Sequence, residues 1–284
     1  MGEDGRRTPA PYFEQLEEQV KTALLGGFLW YYGTVTVVPL IFVWGYLIGV
    51  LRRSTRAEKG YPSFSEWRVM FWDGVKAYGI WSVYLSIPII SITLEERGTV
   101  ESGKIMAAFL VLLAGGGILA ILVPYGGEAL GIIGQKRDEI PGPIFDQIAV
   151  QWDRFLLLLL VWYVTPAALM KLSTRSNFFD GFDFTSLRTI LTDRRYVLAW
   201  PFFLLSWLVG YLFLPLTANT LSNAVWSTGR RYGFLGLGNV FAEAIVTIFS
   251  IFSFCFLVAS FTIIGRVWAT IQTESESDAV GDEG

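Results

Sequence analysis

Polar and ionisable residues set inside long apolar runs are where this chain could do chemistry. Glu243 stands four residues into the run that follows GFLGLGN, and Asn239 lies one helical turn before it. Such a pair could take up a proton or hold a cation inside a membrane, where a charge at mid-bilayer costs about 2.5–3.5 kcal/mol on insertion scales. The plainer alternative is a rim carboxylate near the headgroups. Glu128, in PYGGEALG, follows a proline and two glycines, so it belongs either to a broken helix lining a polar cavity or to a loop. Asp73 and Lys76 are spaced i, i+3 at the entry to an apolar run and can pair with each other. Asp153 and Arg154 precede another run as anchors. The chain has no histidine, which excludes a Ser-His-Asp triad, a His-ligated zinc and a His proton shuttle. Its one cysteine, Cys255, excludes an intrachain disulfide and a multi-cysteine metal site. GFLGLG at 233–238 follows no strand and lacks the lysine and Ser/Thr of a phosphate loop. No set of paired carboxylates or nucleophile and base emerges, so the expectation is a protein that is not an enzyme and carries no cofactor.

The elements that must position these residues are membrane helices. Of 284 residues, 53% are hydrophobic, 17% are charged, and 16% are aromatic, with a mean hydropathy of +0.48. A soluble globule of this size could not cover so much apolar surface with so few charges. A helix crosses a hydrocarbon core of roughly 30 Å with about 20 apolar residues. Six segments approach that length, at about 24–51, 75–94, 105–123, 155–172, 196–217 and 240–264. Arg52-Arg53 stop the first, and Pro39 inside it predicts a kink. Pro88 and Pro166 lie in the second and fourth, and Gly115-Gly116-Gly117 makes the third the best candidate for an incomplete crossing. Gly33, Gly45 and Gly49 offer close-approach surfaces, with Gly45 and Gly49 in a small-xxx-small spacing. The Trp and Tyr clusters at Trp30-Tyr31-Tyr32, Trp67/Trp72, Trp81/Tyr84, Trp152, Trp162-Tyr163, Trp200 and Trp226 are expected to form interfacial belts. Cys255, between Phe254 and Phe256 in the sixth segment, is expected to be shielded. The fold class is therefore all-α and polytopic, with the membrane domain over 23–270.

Outside the spans, residues 1–22 form a polar N-terminal segment that is no cleavable signal. Phe13, Leu16, Val20 and Leu24 recur within it at helical spacing, which predicts a short amphipathic helix on the membrane surface. Residues 271–284 are acidic and small and are expected to be a disordered tail. An offset of about 120 residues aligns FSEWRVMFWD at 64–73 with FTSLRTILTD at 184–193, and upstream Ser54-Thr55-Arg56 with Ser173-Thr174-Arg175. Duplication into 3+3 halves and independent use of one interfacial solution both account for this. The apolar stripes Phe64, Trp67, Phe71 and Phe184, Leu187, Leu191, each edged by Arg68 or Arg188, read as interfacial anchors before spans two and five. With six crossings, Lys and Arg divide evenly, eleven to a side, so the positive-inside rule does not orient the chain. The two basic loops 52–76 and 171–195 then fall on opposite faces, so either the halves are inverted or one segment between the loops fails to cross. The retained topology has both termini in the cytoplasm.

The ordered set Gly26-Gly27, Pro39, Gly45-Tyr46, Pro62-Ser63-Phe64-Ser65-Glu66-Trp67 and Asp73-Gly74-Val75-Lys76-Ala77 resembles the archaeal membrane family catalogued as domain of unknown function 4013. Thr165-Pro166-Ala167-Ala168-Leu169, Phe182-Asp183-Phe184, Tyr196 and Gly265-Arg266 extend the resemblance over about residues 20–270. The stretch at about 125–152 departs from it as an insertion. The resemblance implies a cell-membrane protein of salt-loving archaea, which suits 16 Arg against 6 Lys and the acidic tail. It implies no activity. The leading functional expectation is a non-enzymatic helper, scaffold or lipid-interacting component, with the bilayer and a membrane-protein partner or second copy as partners and no nucleic acid. The alternative is a small permease or channel with its site between the repeat halves.

Overall fold

The computed structural model describes residues 12–33, 36–58, 60–95 and 152–281, and among these there are helices and no strand. The first apolar run is not one helix. α1 (Tyr12–Gly33) carries the N-terminal amphipathic segment straight into the apolar run, and α2 (Val37–Thr55) begins afresh after an extended Thr36. Pro39 explains the difference from a kinked single span. Mid-helix it would cost a hydrogen bond, whereas in the first turn of α2 its missing N–H costs none. The chain reverses between the two helices, and Gly33 closes on Leu40.

α3 (Trp67–Glu95) follows a loop and runs through Pro88. The segment expected as a separate interfacial helix at 64–73 is instead a turn at Phe64-Ser65 and the first turns of α3. α4 (Trp152–Arg175) leads through a 3-10 turn (Phe178–Phe182) to α5 (Phe184–Thr192). Asp183 caps α5 by accepting from the Ser186 N–H and hydroxyl, which hold its carboxyl below the usual range. Asp193 accepts the Arg195 N–H at 2.8 Å and so starts α6 (Arg194–Leu208). α6 continues through a π-helical turn (Val209–Phe213) into α7 (Leu214–Arg231). α8 runs from Leu235 to Gly281. It therefore extends into the acidic segment expected to be disordered, which has no proline or glycine to stop a helix before Gly281.

Two helices among the described residues are long and apolar enough to cross a membrane, Arg194–Arg231 and Gly236–Thr273, not the six expected. At 38 residues each they are about 57 Å long, well beyond a hydrocarbon core of about 30 Å. They pair antiparallel, with Phe203 against Phe261, Ser206 donating to the Phe256 carbonyl, Gly210 against Ser253, and Gly229 against Gly238. The π-helical turn coincides with the Gly210 contact, where the missing side chain lets the backbones approach. The α1–α2 hairpin lies on α8. Gly26 meets Phe254, Gly27 meets Ile251, and the Tyr31 hydroxyl donates to Glu243, so α1 is antiparallel to α8. α2 runs the other way, from Tyr46 beside Phe254 to Leu51 and Ser54 beside Gly265. α2 and α3 cross where Gly45 faces the Met70 carbonyl and Gly74 faces the Ile41 carbonyl.

Candidate functional site

Pro166 lies inside α4, and its packing answers the gap that the proline leaves in the helix ladder. A proline at 166 has no N–H to give to the Trp162 carbonyl one turn back. The indole N–H of Trp200 takes that place, donating to Trp162 O at 3.1 Å, and the Tyr196 hydroxyl donates to Tyr163 O at 2.6 Å. Tyr196 and Trp200 are i, i+4 on α6, so one face of α6 answers the Trp162 carbonyl that the proline leaves unpaired and adds a bond to its neighbour. Around this joint Trp44, Trp81, Trp162, Phe203, Trp207 and Phe261 converge. Trp162 meets Trp207 edge-on at 3.8 Å, and Trp207 stacks on Tyr211 at 4.2 Å. The space they leave open to the centre of a water molecule is ≈ 10 Å³, about one water, against hundreds of cubic ångströms in small-molecule sites.

Above the joint, the ends of α2 and α4 meet. Arg52 binds the Asp73 carboxylate at 2.8 Å and donates through Nε to the Ser173 carbonyl at 3.1 Å. It also reaches the Ser176 hydroxyl at 3.4 Å. Lys76 donates to the Ser176 carbonyl at 2.8 Å. Two cations, one from α2 and one from α3, thus cap the C-terminal carbonyls of α4, where the helix dipole favours positive charge. Asp73 is 6% exposed, and Arg52 supplies the opposite charge that its burial demands. The expected Asp73–Lys76 pair is replaced by this arrangement, because both side chains find partners on other elements.

These contacts put the basic loops 52–76 and 171–195 at one end of the bundle, where inverted halves would set them on opposite faces. The two units run in the same sense. Each proline-bearing helix ends in a non-glycine residue with left-handed backbone, Ala57 at φ 52° and Ser176 at φ 57°. These are the two such residues among those described, and they fall at equivalent positions of the sequence repeat.

The residues singled out by sequence are scattered. Glu243 is exposed and accepts the Tyr31 hydroxyl at 2.7 Å, which ties α1 to α8. Asn239 is exposed one turn earlier. Glu128, the third segment with Gly115–Gly117, and the side chains of Asp153 and Arg154 lie outside what is described. Of the expected anchors, Phe64 is buried and stacks on Tyr46 at 4.4 Å, while Trp67 and Phe71 pack on Phe42 with Trp67 partly open. In the second stripe Leu187 is buried, Leu191 packs on the core and Phe184 is exposed, so the inward face is Leu187-Ile190-Leu191. Arg68 and Arg188 are exposed. Trp30, Trp81 and Tyr84, expected in interfacial belts, are core residues, because neighbouring helices bring rings to meet them. Trp67, Trp72 and Trp226 stay exposed. Sequence reasoning passed over Trp207, and it noted Trp44 only as the counterpart of Trp162 in the repeat. Arg52 read as a stop signal, although its alignment with Lys171, just ahead of the repeated Ser-Thr-Arg, was a signal to hand.

Cys255 is exposed on α8 between buried Phe254 and exposed Phe256. Any shielding comes from lipid. A membrane-permeant maleimide is expected to label it in intact membranes, and an impermeant one only after detergent extraction. Fast impermeant labelling before extraction would place that face of α8 in water.

The fold and site define an all-helical, membrane-associated protein with an aromatic centre and no metal-binding group of His, Cys, Asp and Glu among the described residues. The chain belongs to the family described as Protein of unknown function (DUF4013), which matches residues 29–218. That interval holds the hairpin turn, the Gly45–Gly74 crossing, the Arg52 cluster and the Pro166 joint. No curated protein and no solved structure matches the chain.

Proposed function

We propose that this is a multi-pass cell-membrane protein with a non-enzymatic role, a helper, scaffold or lipid-interacting component that works through its surfaces rather than through an internal path. The observation that carries this reading is the filled aromatic joint between the two units, where a permease built on a repeat would keep its substrate site. The shared end of the basic loops also speaks against a permease built on inverted halves. With both loops on one face, the even division of Lys and Arg no longer holds, and the positive-inside rule makes the basic end cytoplasmic. α1 starts towards that end and α8 finishes there, so both termini are cytoplasmic in this topology.

Two experiments test the reading. Single cysteines at exposed Ser65 and Thr185, each in a Cys255→Ser background, should both be labelled from inverted vesicles and neither from intact cells. Labelling from opposite faces would restore inverted halves. The purified chain in liposomes loaded with small solutes and ions should then leave their retention unchanged from protein-free liposomes. A flux that disappears in a joint variant such as Trp162→Ala would install the permease instead.

A further inference from the structure

The repeat sets Phe184 where Phe64 stands, and the two have opposite fates. Phe64 is 8% exposed, stacked on Tyr46 at 4.4 Å with Phe254 of α8 at 6.3 Å. Phe184 is 69% exposed, and Phe179 is 74% exposed, the highest value of any large apolar residue among those described. Both belong to the connector from α4 to α6, which does not stand off from the helix ends. It doubles back along the bundle. Phe178 packs against Gly79, and Gly181 lies against Ile80 and the Ala168 carbonyl. The Tyr84 hydroxyl donates to the Gly181 carbonyl at 2.8 Å, and the Tyr163 hydroxyl to the Leu191 carbonyl at 2.5 Å. Ala168 is eight residues ahead of Ser176, so the connector reaches about 12 Å back from the end of α4.

We propose that this connector lies in the leaflet at the basic end, with Phe179 and Phe184 among the acyl chains and the outer threonines of α5 in water. α5 presents three faces. Leu187 and Ile190 are buried against the bundle. Phe184 extends the apolar side at its edge beside Leu191, whereas Thr185, Thr189 and Thr192 lie on the exposed side away from it. Arg188 falls between, where its stem covers acyl chain and its guanidinium reaches the phosphates. The depth of α5 follows from the next helix. A single residue, Asp193, separates α5 from α6, which with its continuation α7 is long and apolar enough to cross a membrane. Val197, Leu198 and Phe202 are exposed in the first turns of α6, so lipid must reach those turns, and α5 is held at the same boundary. The two units thus differ in what covers the equivalent phenylalanine, protein in the first and lipid in the second. A helix held in this way occupies area in one leaflet alone, which suits a component that works on the bilayer. The proposal rests on the reading of the chain as a membrane protein.

The test is a spin-label scan of the full chain in liposomes of phosphatidylcholine and phosphatidylglycerol. Nitroxides on Phe179→Cys, Phe184→Cys, Thr185→Cys, Arg188→Cys and Thr189→Cys, each with Cys255→Ser, report collisions with lipid-soluble oxygen and with a water-soluble nickel chelate. Phe179→Cys and Phe184→Cys should favour oxygen and Thr185→Cys and Thr189→Cys the chelate, with Arg188→Cys between, so the preference changes sign around α5. That change is read from the phase of the whole scan and survives the loss of any one variant. Chelate preference at both Phe179→Cys and Phe184→Cys would overturn the proposal. Immobilised labels there that neither reagent reaches would overturn it too, by putting protein in the place of lipid. A label on Cys255 of the otherwise unaltered chain separates this failure from that of the membrane reading. Oxygen preference at Cys255 with chelate preference at Phe184→Cys sinks the insertion of the connector alone, whereas chelate preference at both sinks the membrane reading with it.

Discussion

Gly45→Ala should drive α2 and α3 apart and destabilise the bundle by about 3 kcal/mol or more, the upper end of the usual cost of overpacking. The reason lies in what surrounds the missing side chain. A Cβ at Gly45 would run into the Met70 carbonyl, and one at Gly74 into the Ile41 carbonyl. Both obstacles are backbone, so no rotamer change relieves them, and the helices themselves must move. Gly49 faces only the Pro62 ring, with a Cβ placed 3.3 Å from it, and should tolerate alanine at smaller cost. Gly236 has nothing within 4 Å of an added Cβ and lies on a helix, so Gly236→Ala should be neutral or slightly stabilising. Thermal melting of the four variants in one detergent, followed by near-ultraviolet circular dichroism of the packed tryptophans, gives the ranking. Equal melting of Gly45→Ala and Gly236→Ala would refute the close crossing.

Arg52→Met should cost about 3–5 kcal/mol, because it leaves the buried Asp73 carboxylate without its cation and the Ser173 carbonyl without its donor. Asp73→Leu alone should cost less, since Arg52 keeps the Ser173 carbonyl and its side chain is 22% exposed to solvent. In Arg52→Met with Asp73→Leu neither charge remains to be compensated, and the double variant should recover much of the loss. A double-mutant cycle then reads a coupling of a few kcal/mol, well above the exposed-pair range of up to about 1 kcal/mol. The same cycle with Lys76→Met in place of Arg52→Met should show little coupling to Asp73, whose partner is across the helix interface. Coupling of Asp73 to Lys76 as large as that to Arg52 would return the carboxylate to its neighbour on α3.

Composition alone determined that this chain is helical and membrane-associated, because burying 53% hydrophobic residues behind 17% charged ones requires lipid as well as protein. The likeness of 64–73 to 184–193 was also legible in the sequence, with a Ser-Thr-Arg upstream of each. Pro166 lies in the fourth apolar run, and elementary peptide chemistry required that something answer the carbonyl it exposes. Which donor answers it is a matter of tertiary structure, since Trp200 lies 38 residues away and only the packing of α6 on α4 delivers it. The same holds for Pro39. Its sequence position allows a kink or a fresh helix start, and the docking of both α1 and α2 on α8 selects the second. Hydropathy treats a tryptophan within a span as a belt residue unless neighbours are known, so the burial of Trp81 and Trp44 could not be read from the chain. Arg52 and Asp73 are twenty-one residues apart across a loop, and no local spacing rule pairs them. Which end of the bundle each basic segment occupies was decided last of all, by a few contacts at helix ends. A charge count sees only how many crossings separate the loops, whereas the bonds from Arg52 and Lys76 to the end of α4 place them at the same end.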